Sequence, residues 1–321
     1  MADPAPAEFI SLIERVSSFQ PGYRRAHARG LGLRSLFRAS EAARGLSVAE
    51  HFQGADIPCI VRFSNASGNP CTADRISPKE GRVLGMAIRF VLPSGAAATW
   101  AAINIPVFPA RTPAEFLALT EAQAPKRDGK PSALRLLGHL IRHLHILASV
   151  KAIKGLGPAR SFAGETFYGI HTYYFLDAQG GRRPFRYRWA PVLKADPLSP
   201  AEAASLPEQY LLDEVLTRVG QGPLAWDLIA VFPKEGDPLE DPSRAWGPGR
   251  EEIVLGRMRL ERVHENQKEV EGLVFDPTGV VAGLELSADP ILRYRALAYS
   301  ESYARRSRER RVGPAPADMG Q

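Results

Sequence analysis

The chain of 321 residues is 45% hydrophobic and 24% charged, an ordinary composition for a globular protein that buries a large core. Its 41 basic residues exceed its 35 acidic residues by six, yet no nucleic-acid-binding motif accompanies that excess, so nucleic acid is not an expected partner. Two cysteines exclude a disulfide framework, no apolar run reaches membrane-spanning length, and no signal peptide is recognised. We therefore expect a cytoplasmic protein without a membrane partner.

Strand-like segments dominate the chain after a short amphipathic helix predicted over residues 8–19. Each segment is rich in apolar and β-branched residues, and turn residues separate most of them. The predicted strands cover residues 26–38, 58–64, 86–92, 101–108, 168–176, 185–193, 226–232 and 253–263. Eight antiparallel strands are enough to close a barrel and so remove its unpaired edges.

Helical patterns fill the remaining long segments. Residues 111–157 are predicted to be mainly helical with a turn at 126–131, and leucines there recur at i, i+3 and i+4. Another helix is predicted over residues 199–220. The sequence therefore predicts an α+β fold, in which an antiparallel eight-stranded β-barrel is surrounded by helices. We expect one domain over residues 1–315, followed by a flexible tail at 316–321.

The last predicted helix, residues 289–306, has an unusual polar face. Asp289 is a suitable N-cap before Pro290 at the first helical position. Arg295 lies one turn before Tyr299, so its guanidinium group can donate a hydrogen bond to the phenol and favour the phenolate. A phenolate is one of the few side chains that serve as an axial ligand to ferric haem. The plainer alternative is a basic helix end with packed tyrosines.

Three polar residues in apolar surroundings are candidates for peroxide chemistry. His27, between two alanines in a predicted strand, is either a packing residue or a neutral base that moves a proton of hydrogen peroxide. Ser64 either bonds to that imidazole and fixes its tautomer or simply ends a strand. Asn104 is either a member of a structural hydrogen-bond network or a group that orients peroxide, and the sequence does not separate the two.

Arginines are spread widely along the chain, and three of them are candidate partners for the two propionates of a haem. Arg24, Arg62 and Arg306 fit this role because guanidinium pairs well with carboxylate, and surface charge is the alternative for each. The densest basic cluster, residues 305–311, is interpreted as a solvated end because no aromatic residues lie within it.

His139 and His143 lie four residues apart in the leucine-rich segment, with His145 nearby. Such spacing occurs at metal sites, but no carboxylate or cysteine joins the pair in the sequence, so we interpret it as a polar helix face. Motifs of hydrolases, nucleotide-binding proteins and c-type haem proteins are absent from the sequence.

Taken in order, six segments of the chain resemble the catalase superfamily. They are Arg24-Arg-Ala-His-Ala-Arg-Gly30, Val61-Arg-Phe-Ser64, Leu84-Gly-Met-Ala-Ile-Arg-Phe90, Asn104-Ile-Pro-Val-Phe108, Tyr168-Gly-Ile-His-Thr172 and Arg295-Ala-Leu-Ala-Tyr299. They extend over nearly the whole chain, and their shared order is more specific than any one motif. The resemblance implies an eight-stranded antiparallel barrel with helices that enclose haem b, in agreement with the strand count.

The resemblance also implies a role for each candidate residue. Tyr299 is the expected proximal ligand of the haem iron, with Arg295 as its charge partner. His27 is the expected distal acid/base, with Ser64 bonded to it. The other implied haem contacts are Arg24, Arg62 and Arg306 at the propionates and Phe116 stacked on the distal face.

The sequence departs from the family pattern beside the expected peroxide channel. Residues 103–105 replace an Asn-Asn-x-Thr-like run whose first amide is usually assigned to peroxide, so the amide of Asn104 is displaced by one residue. Ala26 replaces a valine that narrows the channel, and Arg82 falls where an acidic residue usually lines it. The N-terminal arm and C-terminal helical region of large catalases are missing, which resembles the small catalase-related peroxidases.

We therefore expect a haem peroxidase that reduces hydrogen peroxide or organic peroxides with small organic electron donors and shows weak catalase activity at most. Two alternatives stay open. One is an enzyme on the same scaffold that dehydrates or isomerises fatty-acid hydroperoxides, as allene oxide synthases do, and the other is a non-catalytic haem-binding protein. The missing arm argues against an interwoven tetramer and leaves a homodimer or a monomer as the expected assembly.

Overall fold

The computed structural model describes residues 3–74, 83–125 and 131–312. Its strands are β1 (Gly30–Ala39), β2 (Asp56–Asn65), β3 (Leu84–Val91), β4 (Ala97–Ile103), β5 (Phe167–Leu176), β6 (Arg182–Pro191), β7 (Leu224–Val231), β8 (Glu252–Val263) and β9 (Leu284–Leu286). The first eight are the predicted strands, with boundaries that shift by no more than five residues. The short β9 is not predicted from the sequence.

The strands form one antiparallel sheet in which each of β1 to β8 pairs with its neighbours in sequence. β8 pairs back with β1, and β4 joins β5 through the single pair Ile103 and Tyr168. The eight strands therefore close into the predicted barrel. β9 adds to β5 along Tyr173–Phe175.

Side chains alternate between the interior and the outside of the barrel, as the twofold period of a strand requires. In β7, Leu224, Trp226, Leu228 and Ala230 are buried and alternate with partly exposed residues. Large aromatic side chains from the other strands join them in the core, including Phe37, Phe63, Phe90 and Trp189. Neither cysteine forms a disulfide.

Nine α-helices of the described residues surround the barrel. They are α1 (Pro6–Val16), α2 (Glu41–Leu46), α3 (Pro113–Gln123), α4 (Ala133–Arg142), α5 (Ile146–Gly155), α6 (Pro200–Ala204), α7 (Tyr210–Gln221), α8 (Gln267–Gly272) and α9 (Pro290–Val312). Within the described part of the chain, none of the helices has the length and apolar character needed to cross a membrane. The predicted helix at 199–220 is two helices, because the segment between α6 and α7 contains Pro207, which interrupts helical hydrogen bonding.

The α9 helix begins as predicted, since Asp289 Oδ1 accepts the backbone N–H groups of Ile291 and Leu292 at 2.9 and 3.2 Å. It runs beyond the predicted end at residue 306. The interpretation of residues 305–311 as a solvated end is wrong, because these arginines belong to the helix and several of them bind the N-terminal part of the chain.

The far end of α9 is tied to the segment before β1. Arg305 Nη1 lies 2.7 Å from Glu14 Oε2, and Glu309 accepts hydrogen bonds from the guanidinium group of Arg25 and from the backbone N–H of Gly22. Arg25 is almost fully buried. The two ends of the described chain are therefore joined by ion pairs close to His27.

The leucine-rich segment departs from the prediction in its burial. It divides into α4 and α5 at residues 143–145, and much of its apolar face is exposed, with Leu134 at 81%, Ile141 at 65% and Leu144 at 64%. The side turned toward α3 instead carries His139, which is buried. The helical spacing of the leucines was predicted correctly, but α3 covers the side of α4 that carries His139, and the leucine side is left exposed.

The backbone around His27 differs from the predicted secondary structure. This residue precedes β1, which begins at Gly30, so the prediction of a strand from residue 26 is wrong. Three predicted features lie outside the described residues, namely most of the turn at 126–131, the channel residue Arg82 and the tail at 316–321.

Candidate active site

The α9 helix brings the predicted tyrosine and arginine together. Arg295 Nη2 donates to Tyr299 Oη at 2.7 Å across one helical turn. Burial disfavours a charge on Arg295, but attraction to Tyr299 and this hydrogen bond outweigh it, so the pKa of Arg295 is raised. A guanidinium group that stays charged in this position stabilises negative charge on the phenol oxygen.

Two more buried residues extend the hydrogen-bonded pair of Arg295 and Tyr299. Arg295 Nη1 lies 3.1 Å from His171 Nε2, and His171 Nδ1 lies 2.7 Å from Asp289 Oδ2. Because arginine only donates, Nε2 accepts, and Nδ1 carries the proton that is donated to the carboxylate. Burial lowers the pKa of His171 despite the attraction of Asp289, in keeping with a neutral ring. We call Asp289, His171, Arg295 and Tyr299 the proximal chain.

An irregularity in the sheet places His171 in the proximal chain. The pairing of β5 with β6 shifts register between Gly169 and Tyr173, and His171 falls in that interruption. Such irregularities re-aim a side chain locally. His171 is almost completely buried, so its two ring nitrogens depend on the partners that Arg295 and Asp289 supply.

On the other side of the site, His27 adopts a left-handed backbone conformation with φ of 55°. Its Nδ1 lies 2.9 Å from Ser64 Oγ, so the structure brings the two predicted residues to hydrogen-bond distance. The ring lies against the backbone of β3 at Gly85, where a Cβ atom would be only 2.6 Å from it. A glycine at position 85 is therefore needed to admit the imidazole.

The electrostatic setting of His27 keeps its ring neutral. Burial is the largest cause and nearby positive charges add to it, so the pKa of His27 is lowered to about 3. A neutral imidazole near pH 7 is the state that a general base requires. Arg295 is among the charges that lower this pKa, so the guanidinium group of the proximal chain lies close enough to His27 to act on it electrostatically.

Three arginines converge where the sequence predicts propionate contacts. Arg62 Nε lies 2.6 Å from Glu271 Oε1, and Arg24 Nε lies 3.4 Å from Glu271 Oε2. Arg24 and Arg306 both donate to the carbonyl oxygen of Leu273, at 3.0 and 2.9 Å. We call Arg24, Arg62, Arg306 and Glu271 the arginine cluster.

The charges of the arginine cluster are unbalanced, because three guanidinium groups share one carboxylate. Burial lowers the pKa of Arg306 to about 10 and holds the pKa of Arg24 well below its usual value. Burial opposes the charge of Glu271, but attraction to the arginines outweighs it, so the pKa of Glu271 is lowered. Among the residues that the structure describes, Arg306 Nη1, Arg24 Nε and Glu271 Oε2 are buried and have no hydrogen-bond partner.

Arg62 connects the arginine cluster to His27. Its Nη1 donates to the carbonyl oxygen of His27 at 3.0 Å, and its Nη2 donates to that of Ala28 at 3.2 Å. Buried carbonyl groups of an irregular turn need such partners. Arg62 therefore fixes the backbone on which the His27 imidazole is mounted.

Asn104 lies just past β4 in a hydrogen-bond network. Its Oδ1 accepts the N–H of Leu84 at 2.8 Å, and its Nδ2 donates to Glu165 Oε2 at 3.1 Å. Asn104 is thus a member of a structural hydrogen-bond network, which is one of the two alternatives for this residue. A contact between Asn104 and peroxide stays a prediction. In the sheet register Ile103 pairs with Gly85, which in turn pairs with Ser64, so an apolar residue is aligned with Ser64.

Phe116 belongs to an aromatic group between α1, α3 and α9. Its ring centroid lies 5.0 Å from that of Phe108 and 5.7 Å from that of Phe9. Phe9 in turn lies 5.3 Å from Tyr294 of α9. Phe116 is therefore packed close to the helix that carries Tyr299, and its stacking on a haem stays a prediction.

The structure adds residues to which the sequence gave no role. His171 lies in a segment that carries the family resemblance, and that segment was its only signal. Gly85 has the same kind of signal. Nothing in the sequence marks Glu271, because its contacts with Arg24 and Arg62 join residues that are more than 200 positions apart.

The barrel with its surrounding helices is the fold of catalases. A fungal catalase superposes with a TM-score of 0.79 at 23% identity, over 89% of this chain and 60% of that chain. Catalase A from Saccharomyces cerevisiae superposes with a TM-score of 0.79 at 20% identity, over 91% of this chain and 63% of that chain. The chain thus spans about 60% of the length of these catalases.

Residues 8–313 match the family model for catalase, and the chain belongs to the catalase family, whose members generally bind haem. Within the family it is similar to a catalase-related peroxidase of Mycolicibacterium paratuberculosis, at 33% identity over 97% of each chain. A catalase-related peroxidase of Synechococcus elongatus is 28% identical over 94% of this chain and 89% of its own length.

Proposed function

We propose that this protein is a haem-dependent peroxidase that reduces hydrogen peroxide or an organic peroxide with small organic electron donors. The observation that carries the proposal is the placement of two side-chain pairs toward one interior region. They are the neutral His27 with Ser64 and the charged Arg295 with Tyr299. The similarity to proteins named catalase-related peroxidases supports the same activity.

We propose haem b as the cofactor, because the residues present fit its charges. The arginine cluster has two more positive than negative groups, and a haem b carries two propionates. Propionate oxygens would also accept hydrogen bonds from Arg306 Nη1 and Arg24 Nε, which are buried and make none with the described residues. Tyr299 Oη would bind the iron, with its charge stabilised by Arg295.

When bound, haem supplies the redox-active iron that peroxide reduction requires. The protein itself moves the proton: His27 Nε2 accepts it from one peroxide oxygen and delivers it to the other, which leaves as water. For this, Nδ1 keeps its hydrogen and donates it to Ser64 Oγ, which fixes the tautomer. Each hydrogen peroxide takes two electrons and two protons from the organic donor and yields two waters, whereas an organic peroxide takes the same number and yields one alcohol and one water.

The surroundings of His27 support organic donors over a second peroxide as the reductant. Ala26, next to His27, is small and exposed. Ile103 pairs with Gly85, which pairs with Ser64, so an apolar side chain is aligned with Ser64 across the sheet. An apolar approach favours phenolic or other aromatic donors, whereas oxygen evolution requires a second peroxide to be oriented in the same place. We therefore propose weak dismutation.

The ratio of two activities of the haem-loaded protein tests the proposal. We expect oxidation of a phenolic dye by hydrogen peroxide to be faster than evolution of oxygen. Rapid oxygen evolution without dye oxidation would contradict the proposal. Product analysis after incubation with a fatty-acid hydroperoxide tests the alternative enzyme, since an epoxide or other isomer formed without any donor would identify a dehydratase or isomerase.

The substitution His27→Gln separates catalysis from haem binding. We expect the rate of the reaction with peroxide to fall by about 10²- to 10⁴-fold, the usual contribution of a general acid/base, while the haem absorbance is retained. Peroxide kinetics equal to those of the unmodified protein would instead indicate a non-catalytic haem-binding protein.

Asn104→Ala tests whether that amide orients peroxide. If it does, kcat/KM for peroxide decreases while the unfolding temperature is unchanged. If the amide acts only through Leu84 and Glu165, the unfolding temperature decreases first, because both partners lose a buried hydrogen bond.

We also propose a cytoplasmic homodimer. The unpaired Cys59 and Cys71 fit a reducing compartment, and the exposed apolar side chains of Leu134, Ile141 and Leu144 support association of two chains. Sedimentation at the mass of one chain would contradict the dimer. Recovery of the protein outside the cytoplasmic fraction of its cell would contradict the location.

A further inference from the structure

Three side chains that could ligate a metal meet outside the site described above. His143 and His145 lie in the turn between α4 and α5, and Glu115 lies in the first turn of α3. One ligand atom from each lies within 4.8 Å of the others. The sequence showed no carboxylate beside these histidines, and that premise of the polar-face interpretation is wrong, because Glu115, distant in sequence, contacts His143 and His145.

The spacing of these atoms matches the coordination of a tetrahedral ion. His143 Nδ1 lies 3.5 Å from Glu115 Oε1, and His145 Nε2 lies 3.2 Å from Glu115 Oε2. Nitrogen and oxygen ligands about 2.0–2.1 Å from a tetrahedral zinc ion lie about 3.3 Å from one another. Small movements of the side chains would bring all three within range of one ion.

The state of His145 is a separate indication of a ligand. Its side chain is only 8% exposed, and its Nε2, which lies 3.2 Å from Glu115 Oε2, makes no hydrogen bond of ordinary geometry within the described part of the chain. The residue occupies the N-cap position of α5 but its side chain does not cap that helix. A buried imidazole nitrogen without a local role requires another partner.

We propose that Glu115, His143 and His145 bind a zinc ion, or a divalent transition metal with the same ligand preference. Two imidazoles and one carboxylate are typical zinc ligands, whereas magnesium and calcium prefer oxygen ligands alone. Three protein ligands leave a fourth position for water. The ion would join α3 to the turn between α4 and α5.

The neighbouring charges and rings are compatible with such an ion. Glu115 supplies the negative charge, although its Oε2 also accepts the N–H of Arg111 at 2.9 Å. The ring of His139 packs with its centroid 4.5 Å from that of His143.

The site lies next to a residue expected to contact the cofactor. Phe116 follows Glu115 directly in α3, so an ion bound to Glu115 would fix the first turn of the helix that carries this ring. The zinc site is independent of the proposed peroxidase activity, because it shares no residue with the proximal chain, the arginine cluster or the His27–Ser64 pair.

Calorimetric titration with zinc chloride tests the proposal directly. The full-length, haem-loaded protein is prepared without a polyhistidine tag, dialysed against a chelator and then against metal-free buffer. We expect saturable binding of one zinc ion per chain, and no saturable binding when magnesium replaces zinc. Failure of the unmodified protein to bind zinc saturably would overturn the proposal.

Substitutions locate the ion. His143→Gln and His145→Gln should each weaken zinc binding by at least about 100-fold, the upper range for loss of even an outer-shell partner. Glu115→Gln should do the same while it keeps the side-chain length and an oxygen acceptor for Arg111. If these variants bind zinc like the unmodified protein, the proposed ligands are wrong.

His139→Ala is the matched control, because His139 adjoins the site but lies outside the ligand group. We expect its zinc affinity to stay close to that of the unmodified protein. Loss of binding in His139→Ala together with retention in His145→Gln would place the ion on the i, i+4 pair of α4 and overturn the assignment. The haem absorbance and the unfolding temperature show whether each variant is folded.

Discussion

The proximal chain and the arginine cluster are both buried and charged, yet they satisfy their charges in different ways. In the proximal chain, Arg295 donates to Tyr299 and His171, and His171 donates to Asp289. In the arginine cluster, Glu271 is the one carboxylate beside three cations and pairs directly with Arg24 and Arg62, and among the described residues Arg306 Nη1 is buried without a hydrogen bond. A fully paired network is stable by itself, whereas an unbalanced one requires an anionic ligand. The comparison therefore separates a preformed half of the site from a half that, under the proposed function, the haem propionates would complete.

Tyr299→Phe breaks the proximal chain at the atom expected to bind iron. We expect peroxidase activity to fall by about 10³-fold, about 4 kcal/mol in activation free energy, and the ferric haem spectrum to change. Tyr303→Phe, on the same helix but with an exposed side chain, is the control and should change neither. An unaltered spectrum in Tyr299→Phe would exclude this residue as the iron ligand.

Asp289→Asn removes the charge at the other end of the proximal chain but retains an oxygen that can cap α9. The new amide would face the N–H of His171, donor against donor, so we expect the free energy of unfolding to decrease by about 3 kcal/mol. Chemical denaturation measures this change. Asp213→Asn, at an exposed position of α7, should alter it by less than about 0.5 kcal/mol. Equal effects of the two substitutions would show that the network adds no stability.

Arg306→Met tests the arginine cluster and should have opposite consequences with and without cofactor. Removal of one crowded cation should leave the haem-free protein as stable as before or more stable, and should weaken haem binding by about 10- to 100-fold. Arg308→Met, at an exposed position of the same helix, should change neither quantity. If the haem-free protein were strongly destabilised and haem affinity unchanged, Arg306 would be structural.

His51 offers a second comparison with the proximal chain, with a smaller expected effect. Within the described residues neither ring nitrogen of His51 is hydrogen-bonded, whereas both ring nitrogens of His171 are. Burial lowers the pKa of His51 to about 3. The unfolded chain therefore binds a proton near pH 6.5 that the folded protein does not bind, and stability falls as the pH decreases below that value.

The stability lost through His51 between pH 7 and pH 5 should be about 2 kcal/mol. In His51→Leu the fall in unfolding free energy over this range should therefore be smaller by that amount, as denaturation at both pH values would show. An identical pH dependence in the variant would mean that His51 is not the group responsible. Its ring packs between those of Phe52 and Phe90, so leucine is accommodated in an apolar setting.

The features predicted best from the sequence depend on residues that are close together in the chain. The spacing of Arg295 and Tyr299 on one helical face predicts their hydrogen bond, and Asp289 before Pro290 predicts the start of α9. The eight strands follow from alternating apolar residues and intervening turns. Each of these signals is local, so a single sequence contains it.

The features that were missed depend on contacts between distant segments. The left-handed backbone of His27 is compatible with the fold because Gly85 leaves space and Arg62 binds its carbonyl group. Glu271 and Glu115 are ordinary surface-type carboxylates in the sequence, and only the packing of their helices against distant elements gives them partners. No periodicity or spacing rule contains this information.

The ion pairs at the end of α9 have a mechanical consequence. The helix that carries Tyr299 also carries Glu309, ten residues further on. Glu309 accepts a hydrogen bond from Arg25, which lies two residues before His27. This ion pair therefore adds a direct link between the helix of Tyr299 and the segment of His27, beside the contacts that Arg62 and Ser64 of β2 make with His27. A deletion that removed only the last turn of α9 would leave the barrel intact and remove this link, so we expect the His27 imidazole to be held less firmly in its position.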